Sequence, residues 1–307
     1  MLTAQQVKEY ARQAGADLVG IASPDRFADV PPERNPLSIF PHAQAVVMVG
    51  RRITRGTLRG VEEGTNFNTY SCFGYHWLDA DFISLMAFNV VSFLEDQGWE
   101  AAPLFPYPSQ AHPQGVVVRE GSPAPNVYPD FDHAAVAAGL GEIGYCGAFL
   151  SPKFGPRQRF QMILTDAPLA ADPLLTEDIC GRCGQCVTAC PLGALDSSRE
   201  ETLTIAGKQM TVCAVEHDKC RVCRNGASPN RYHPSGLPDR VAAVCMRTCL
   251  QALEEAGKLS NRFENPFRTR PPWALDALGQ AVAVSETPVK ARDCADPVGE
   301  RARKGEA

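Results

Sequence analysis

Cys180-Gly-Arg-Cys183-Gly-Gln-Cys186-Val-Thr-Ala-Cys190-Pro191 reads C-x2-C-x2-C-x3-C-P. Two-residue spacers let a loop wrap one corner of an iron–sulfur cubane after another, and the closing Cys-Pro sends the chain away from it. Gly181 and Gly184 permit the tight turns and leave amide N–H groups free to point at sulfur. Zinc would account for one C-x2-C pair, but it needs neither the third cysteine at that spacing nor the Cys-Pro ending. The run predicts a [4Fe–4S] cluster in a ferredoxin-like segment.

Outward from that run, cysteine is crowded. Of 12 cysteines in 307 residues, only Cys72, Cys146 and Cys294 lie outside the stretch from Cys180 to Cys249. In a reducing compartment such crowding points to metal rather than to disulfides. Two cubanes need about eight thiolates. The first run supplies Cys180, Cys183, Cys186 and Cys190, and Cys213, Cys220, Cys223, Cys245 and Cys249 remain for the second set, one more than needed. The competing reading is a single cluster with core or redox-active thiols left over.

The rest of the chain reads as a host for this segment. Hydrophobic residues make up 44% and charged residues 21%, an ordinary globular balance. A net charge of −5 predicts no nucleic-acid partner, a reading that leaves tRNA open. The opening MLTAQQVKEYARQAGADLVG has no basic or apolar export region, and the apolar run Phe82 to Leu94 is too short to cross a bilayer, so the expectation is a cytoplasmic protein without a membrane partner.

Residues 3–14 predict a helix capped by Thr3. Residues 17–22, 45–50 and 160–165 predict strands, and helices are expected over 75–97 and 132–140. On the 75–97 helix, Leu78, Phe82, Leu85, Met86, Asn89 and Phe93 are expected to share a face. The Pro-rich stretches 24–41 and 103–130 read as loops. The expected division is an α/β cofactor- and substrate-binding domain over 1–172, a [4Fe–4S] domain over 173–260 and a partly disordered extension over 261–307.

Iron–sulfur centres move single electrons, so the destination of the electrons is sought in the N-terminal part. Ala138-Gly139-Leu140-Gly141-Glu142-Ile143-Gly144-Tyr145 is a glycine-dense turn without the preceding strand of a dinucleotide site. Gly139, Gly141 and Gly144 either let the backbone approach a large flat cofactor or simply end a helix. Tyr128, Asp130, His133 and Tyr145 gather near this turn and are the candidate proton donors for a reduction, with Asp132 beside them. Tyr70, Tyr75, His76 and Trp77 form a second polar–aromatic group.

The segments Ala138 to Gly144, Leu150-Ser-Pro-Lys-Phe-Gly-Pro-Arg157, Leu164-Thr-Asp-Ala-Pro-Leu169 and the cysteine run, in this order, resemble epoxyqueuosine reductases and reductive dehalogenases. The resemblance implies a nitroreductase-like α+β domain that holds cobalamin, followed by a ferredoxin-like domain with two [4Fe–4S] clusters that feed it electrons. It places Gly139, Gly141 and Gly144 beside the cofactor. It also implies that Cys190 joins the second cluster with Cys213, Cys220 and Cys223. The family's second set, C-x2-C-x3-C-P, is incomplete in either alignment. Ala227 follows Cys220 and Cys223 where a cysteine is expected, and Ala242 precedes Cys245 and Cys249. The latter alignment favours Cys249 as the first cluster's distant ligand. The family's upstream acid falls near Pro125, with Asp130 and Asp132 the nearest carboxylates.

These readings lead to an iron–sulfur reductase, corrinoid-dependent by resemblance, acting on a small molecule and fed by a donor such as ferredoxin or flavodoxin. The alternative is an electron-transfer or accessory protein that reduces a partner enzyme without its own organic cofactor. A cluster-based sensor is a third class, and the absence of a basic stripe disfavours a DNA-binding form of it.

Overall fold

In the computed structural model, which describes residues 2–284, the chain opens as expected. The Thr3 hydroxyl accepts from the Gln6 N–H and the Gln6 side chain accepts from the Thr3 N–H, a reciprocal cap on α1 (Ala4–Gln13). Val7 and Ala11 give this helix its buried face.

Strand β1 (Leu18–Ala22) follows, then β2 (Ala45–Arg52), in which six consecutive residues are buried. Such a run marks a strand covered on both faces. Val47 and Val49 join the core beneath α1, while Val46 and Met48 join a second core on the other side. After the short helix α2 (Arg59–Glu62) the chain enters a long helical stretch, Tyr70–Asp96. Its first part, Tyr70–Ile83, is made of wide π turns, and its last, α3 (Ser84–Asp96), is regular. Strand β3 (Ala101–Leu104) takes the first residues of the expected 103–130 loop. Then come α4 (Phe131–Ala137), the short pair β4 (Glu142–Ile143) and β5 (Phe149–Leu150), and β6 (Gln158–Thr165).

The main sheet has the order β1-β2-β6-β3, and every pairing is antiparallel. The mixed helix-and-strand expectation holds, and the sheet is antiparallel throughout. Pro103 sits in edge strand β3, where a missing N–H costs least. Helices α1 and α3 cover one face, and the alanine-rich α4 lies close against the other.

The expected apolar face of the 75–97 helix is corrected. Leu78 and Met86 are buried, but Leu85 is 64% exposed and Phe82 39% exposed. The π turns hydrogen-bond one residue further along than an α-helix and shift the phase, so Ile83, Met86, Ala87, Val90, Val91 and Leu94 face the sheet instead. By joining Tyr70–Ile83 to α3 they also make a 27-residue helix that could cross a membrane by length and composition alone; 44% of its apolar window is buried within the fold.

The cysteine-rich part contains α5 (Gln185–Thr188), a hairpin of β7 (Leu195–Ile205) and β8 (Lys208–Val215), α6 (His217–Arg221) and α7 (Val244–Glu255). Ala242, Leu250, Leu253, Leu259 and Phe267 enter the same core as α1 and α3, so residues 173–260 share apolar packing with the sheet.

Of the 261–307 extension, the described part is docked. Phe267 is fully buried, the Arg268 guanidinium donates to both carboxylate oxygens of Glu62, and the Trp273 indole donates to the Val61 carbonyl. The disorder expected at 300–307, and Cys294, lie outside the described residues.

Candidate metal centre and active-site cavity

The cysteine loop is hung from the glycine turn. Glu142, 3% exposed, accepts from the backbone N–H of Ile179 at 3.0 Å and of Cys180 at 2.6 Å, and Lys208 stands 3.5 Å from its other oxygen. The Tyr145 N–H donates to Cys180 Sγ at 3.3 Å. The Arg182 backbone N–H also points at Cys180, and Arg182 itself has a left-handed backbone (φ +53°). Ala194 N–H reaches Cys190 Sγ at 3.2 Å, and the Asn225 amide reaches Cys223 Sγ at 3.7 Å. Amide donors aimed at sulfur are what bound thiolates require.

The sulfurs fall into two sets. Cys180, Cys183, Cys186 and Cys249 line one small enclosed cavity, together with Cys146. Cys190 and Cys223 lie near Cys220, and Cys190 and Cys220 near Cys245. Cys213, expected with Cys190, instead stands near Cys146 and lines a separate large cavity. Cys72 lies far along the chain on the π-turn segment. Burial pushes the Cys180 thiol up to about 11 and Cys245 to about 12, with Arg240 opposing at Cys245, so these sulfurs become thiolates only against a cation. Among the described residues no three Cys, His, Asp or Glu side chains converge tightly enough for a single metal ion.

The large cavity, about 610 Å3, opens beside this chamber. Cys213 and Met246 line it and also pack with Cys146, Cys186 and Cys245. A second cavity of about 450 Å3 shares Phe131, Asp132, Gly147, Val212 and Asn230 with it. Strand β8 forms part of both walls through Val212, while β7 adds Glu201 to the first and Leu203 and Ile205 to the second.

Sequence reasoning singled out Tyr70 and Tyr75 but missed the charged residues they meet on the polar wall of the large cavity. Arg159 on β6 pairs with Asp239 at 3.1 Å and stands 3.8 Å from Asp79, with its charge 4.3 Å from the centre of the Tyr75 ring. Tyr70 donates to Asp239 at 2.5 Å, and Tyr232 donates to Asp79 Oδ2 at 3.4 Å. The nearer carboxylate takes the larger share of the guanidinium. Asp79, 3% exposed and with Oδ1 lacking any partner, is therefore pushed up to about 7 by burial despite Arg159. These residues come from the π-turn segment, β6 and the 225–243 loop, a convergence that no local spacing announces.

The sequence candidates divide by place. Asp130 caps α4 by accepting from the His133 N–H at 2.9 Å, and both residues line the second cavity. His133 keeps a buried, unpartnered Nε2, and burial lowers its pKa. Asp132 reaches both cavities with its side chain exposed. Tyr128 lines neither cavity and lies among Asn126, Tyr107 and His233. Tyr145 lines the cysteine chamber instead, its hydroxyl donating to Glu200 at 2.6 Å.

Gly139 and Gly141 line none of these cavities, and Gly144 lines the cysteine chamber. A side chain on Gly139 (φ +75°) would meet the Pro173 carbonyl at 2.1 Å, on Gly141 the Leu150 carbonyl at 2.0 Å, and on Gly144 the Leu150 side chain at 2.6 Å. Their close approach is to the protein's own chain, and the residue of this turn that grips the cluster loop is Glu142.

This fold and this cysteine chamber define an iron–sulfur protein. Residues 173–196 match the 4Fe-4S binding domain model. Parts of the chain are similar to reductive dehalogenases and epoxyqueuosine reductases. It is 39% identical over 69 residues to the tetrachloroethene reductive dehalogenase of Desulfitobacterium hafniense, a match covering 22% of this chain and 12% of that protein. It is 33% identical over 115 residues to the epoxyqueuosine reductase of Synechococcus sp. (strain RCC307), covering 34% and 36% respectively. The matches thus span well under half of these relatives' own length. A solved reductive dehalogenase, described as B12-dependent, superimposes over 80% of this chain and 31% of its own with a TM-score of 0.53 at 19% identity, a likeness of fold.

Proposed function

We propose that the protein is a cytoplasmic reductase in which two [4Fe–4S] clusters carry electrons to a corrinoid in the large cavity, where a small molecule is reduced. The observation that carries this reading is the shared wall: Cys213 and Met246 belong both to the packing around the cysteine chamber and to the lining of the cavity. An electron leaving the chamber therefore has a short path to whatever the cavity holds.

The residues fit both groups. Cys180, Cys183, Cys186 and Cys249 would hold the first cluster, and Cys190, Cys220, Cys223 and Cys245 the second, each set with amide N–H donors at sulfur. The cavity offers aromatic surface at Phe149 and Phe160 and amide groups at Gln158 and Asn230, a mixture suited to a flat macrocycle fringed with amides. A corrinoid bound there would supply a strongly reducing cobalt centre.

The chain's own part is the proton. Arg159 neutralises Asp239, Tyr232 occupies Asp79 Oδ2, and the free Oδ1 of a neutral Asp79 is left to donate into the cavity. Asp132 is a second carboxyl on the same cavity. An external ferredoxin or flavodoxin would refill the clusters.

The test is anaerobic reconstitution with iron, sulfide and cobalamin, followed by desalting and metal analysis. About eight iron and one cobalt per chain are expected. Full iron with no retained corrinoid absorbance would sink the corrinoid half and leave an electron-transfer partner of another enzyme. A tRNA stem loop belongs in the same substrate screen as small molecules.

A further inference from the structure

Five thiols line the first cluster chamber, Cys146, Cys180, Cys183, Cys186 and Cys249, although a cubane takes one fewer. Cys146 lies on the turn between β4 and β5 and is 2% exposed. A cysteine that merely fills a core is surrounded by hydrocarbon. The sulfur of Cys146 instead meets other sulfurs. Its S–H donates to Met246 Sδ at 3.5 Å, and it shares the chamber wall with Cys186 and Cys249.

Its backbone is held from two sides. The Tyr145 N–H is committed to Cys180 Sγ at 3.3 Å, and Arg240 donates to the Cys146 carbonyl at 2.9 Å. The thiol is thus held on the wall of the cluster chamber.

We propose that Cys146 is a positioning residue of the first cluster, its S–H turning from Met246 to donate to a bound sulfur of Cys186 or Cys249 and raising that cluster's reduction potential. Once Cys186 and Cys249 bind iron they are acceptors only, and Cys146 is the neighbouring sulfur with a hydrogen to give. A hydrogen bond to a cluster sulfur withdraws negative charge and favours the reduced state, which carries one charge more. The inference rests on the cluster assignment above and adds a direction: the first cluster becomes the better electron acceptor.

Native protein, Cys146→Ala and Cys146→Ser are purified anaerobically, assayed for iron and sulfide, and titrated with electron paramagnetic resonance detection. Equal iron in all three is expected, with one cluster shifted to lower potential in Cys146→Ala and the shift largely rescued in Cys146→Ser, which retains a donor. Cys146→Val gives a second donor-free variant of fuller volume should the alanine protein fail to fold. Unchanged potentials in the donor-free variant would overturn the proposal, as would loss of iron, which would make Cys146 a ligand instead. Native protein without iron sinks the cluster assignment itself, whereas native protein with full iron and unmoved variant potentials sinks only the role of Cys146.

Discussion

Asp79 shows how one buried carboxyl can serve both chemistry and stability. The folded chain keeps its proton up to about pH 7, where an unfolded chain releases it near the ordinary value of 3.8. Its contribution to stability is therefore full below about pH 4 and lost as pH rises to 7, by ~4 kcal/mol at most. Asp79→Asn should flatten that part of the stability profile, measured by urea unfolding across this range. If Asp79 is the proton donor, the same variant should lower turnover by roughly 10²- to 10⁴-fold and remove the fall in native rate as pH rises through 7. Among the cysteines, Cys249→Ser and Cys245→Ser should each remove about half the iron, but from spectroscopically different clusters. Loss of the same signal from both would refute the partition.

At the scale of elements, the glycine turn and the cysteine loop behave as one device, because Glu142 accepts from the two residues that open the loop. Glu142→Ala leaves two buried amides without partners and should cost about 1–3 kcal/mol for each, read as a lowered urea midpoint and slower cluster reconstitution. The sequence displayed the loop plainly, since cubane ligation dictates spacing residue by residue. It displayed α1 through the Thr3 and Gln6 pair, and β2 through an unbroken buried run. It did not display the inward face of the Tyr70–Asp96 stretch, because π turns change the period on which such a reading relies. Nor did it display Asp79, Arg159 and Tyr232, which are ordinary polar residues until three distant segments meet. The glycines misdirected attention for a related reason. A missing side chain marks a close approach without naming what approaches, and here it is Pro173 and Leu150.

Over the whole molecule, the C-terminal extension is part of the fold at least as far as Trp273. Phe267 fills the core shared by the sheet and α7, and Arg268 joins Arg247 on the buried carboxylate of Glu62. Phe267→Ala should cost about 3–5 kcal/mol. Truncation after Ser260 should destabilise more, because it also takes a guanidinium from Glu62; a truncated chain with the native urea midpoint would contradict this docking. The pairing of Cys249 with the Cys180–Cys186 run reaches beyond energetics to the making of the protein. The first three sulfurs leave the ribosome together, and their partner on α7 follows about 60 residues later. Iron delivered before then meets an open, three-cornered loop. On the proposed ligand assignment the closing step of assembly waits for α7, so a message truncated anywhere in the hairpin would yield a protein that can be loaded but never sealed.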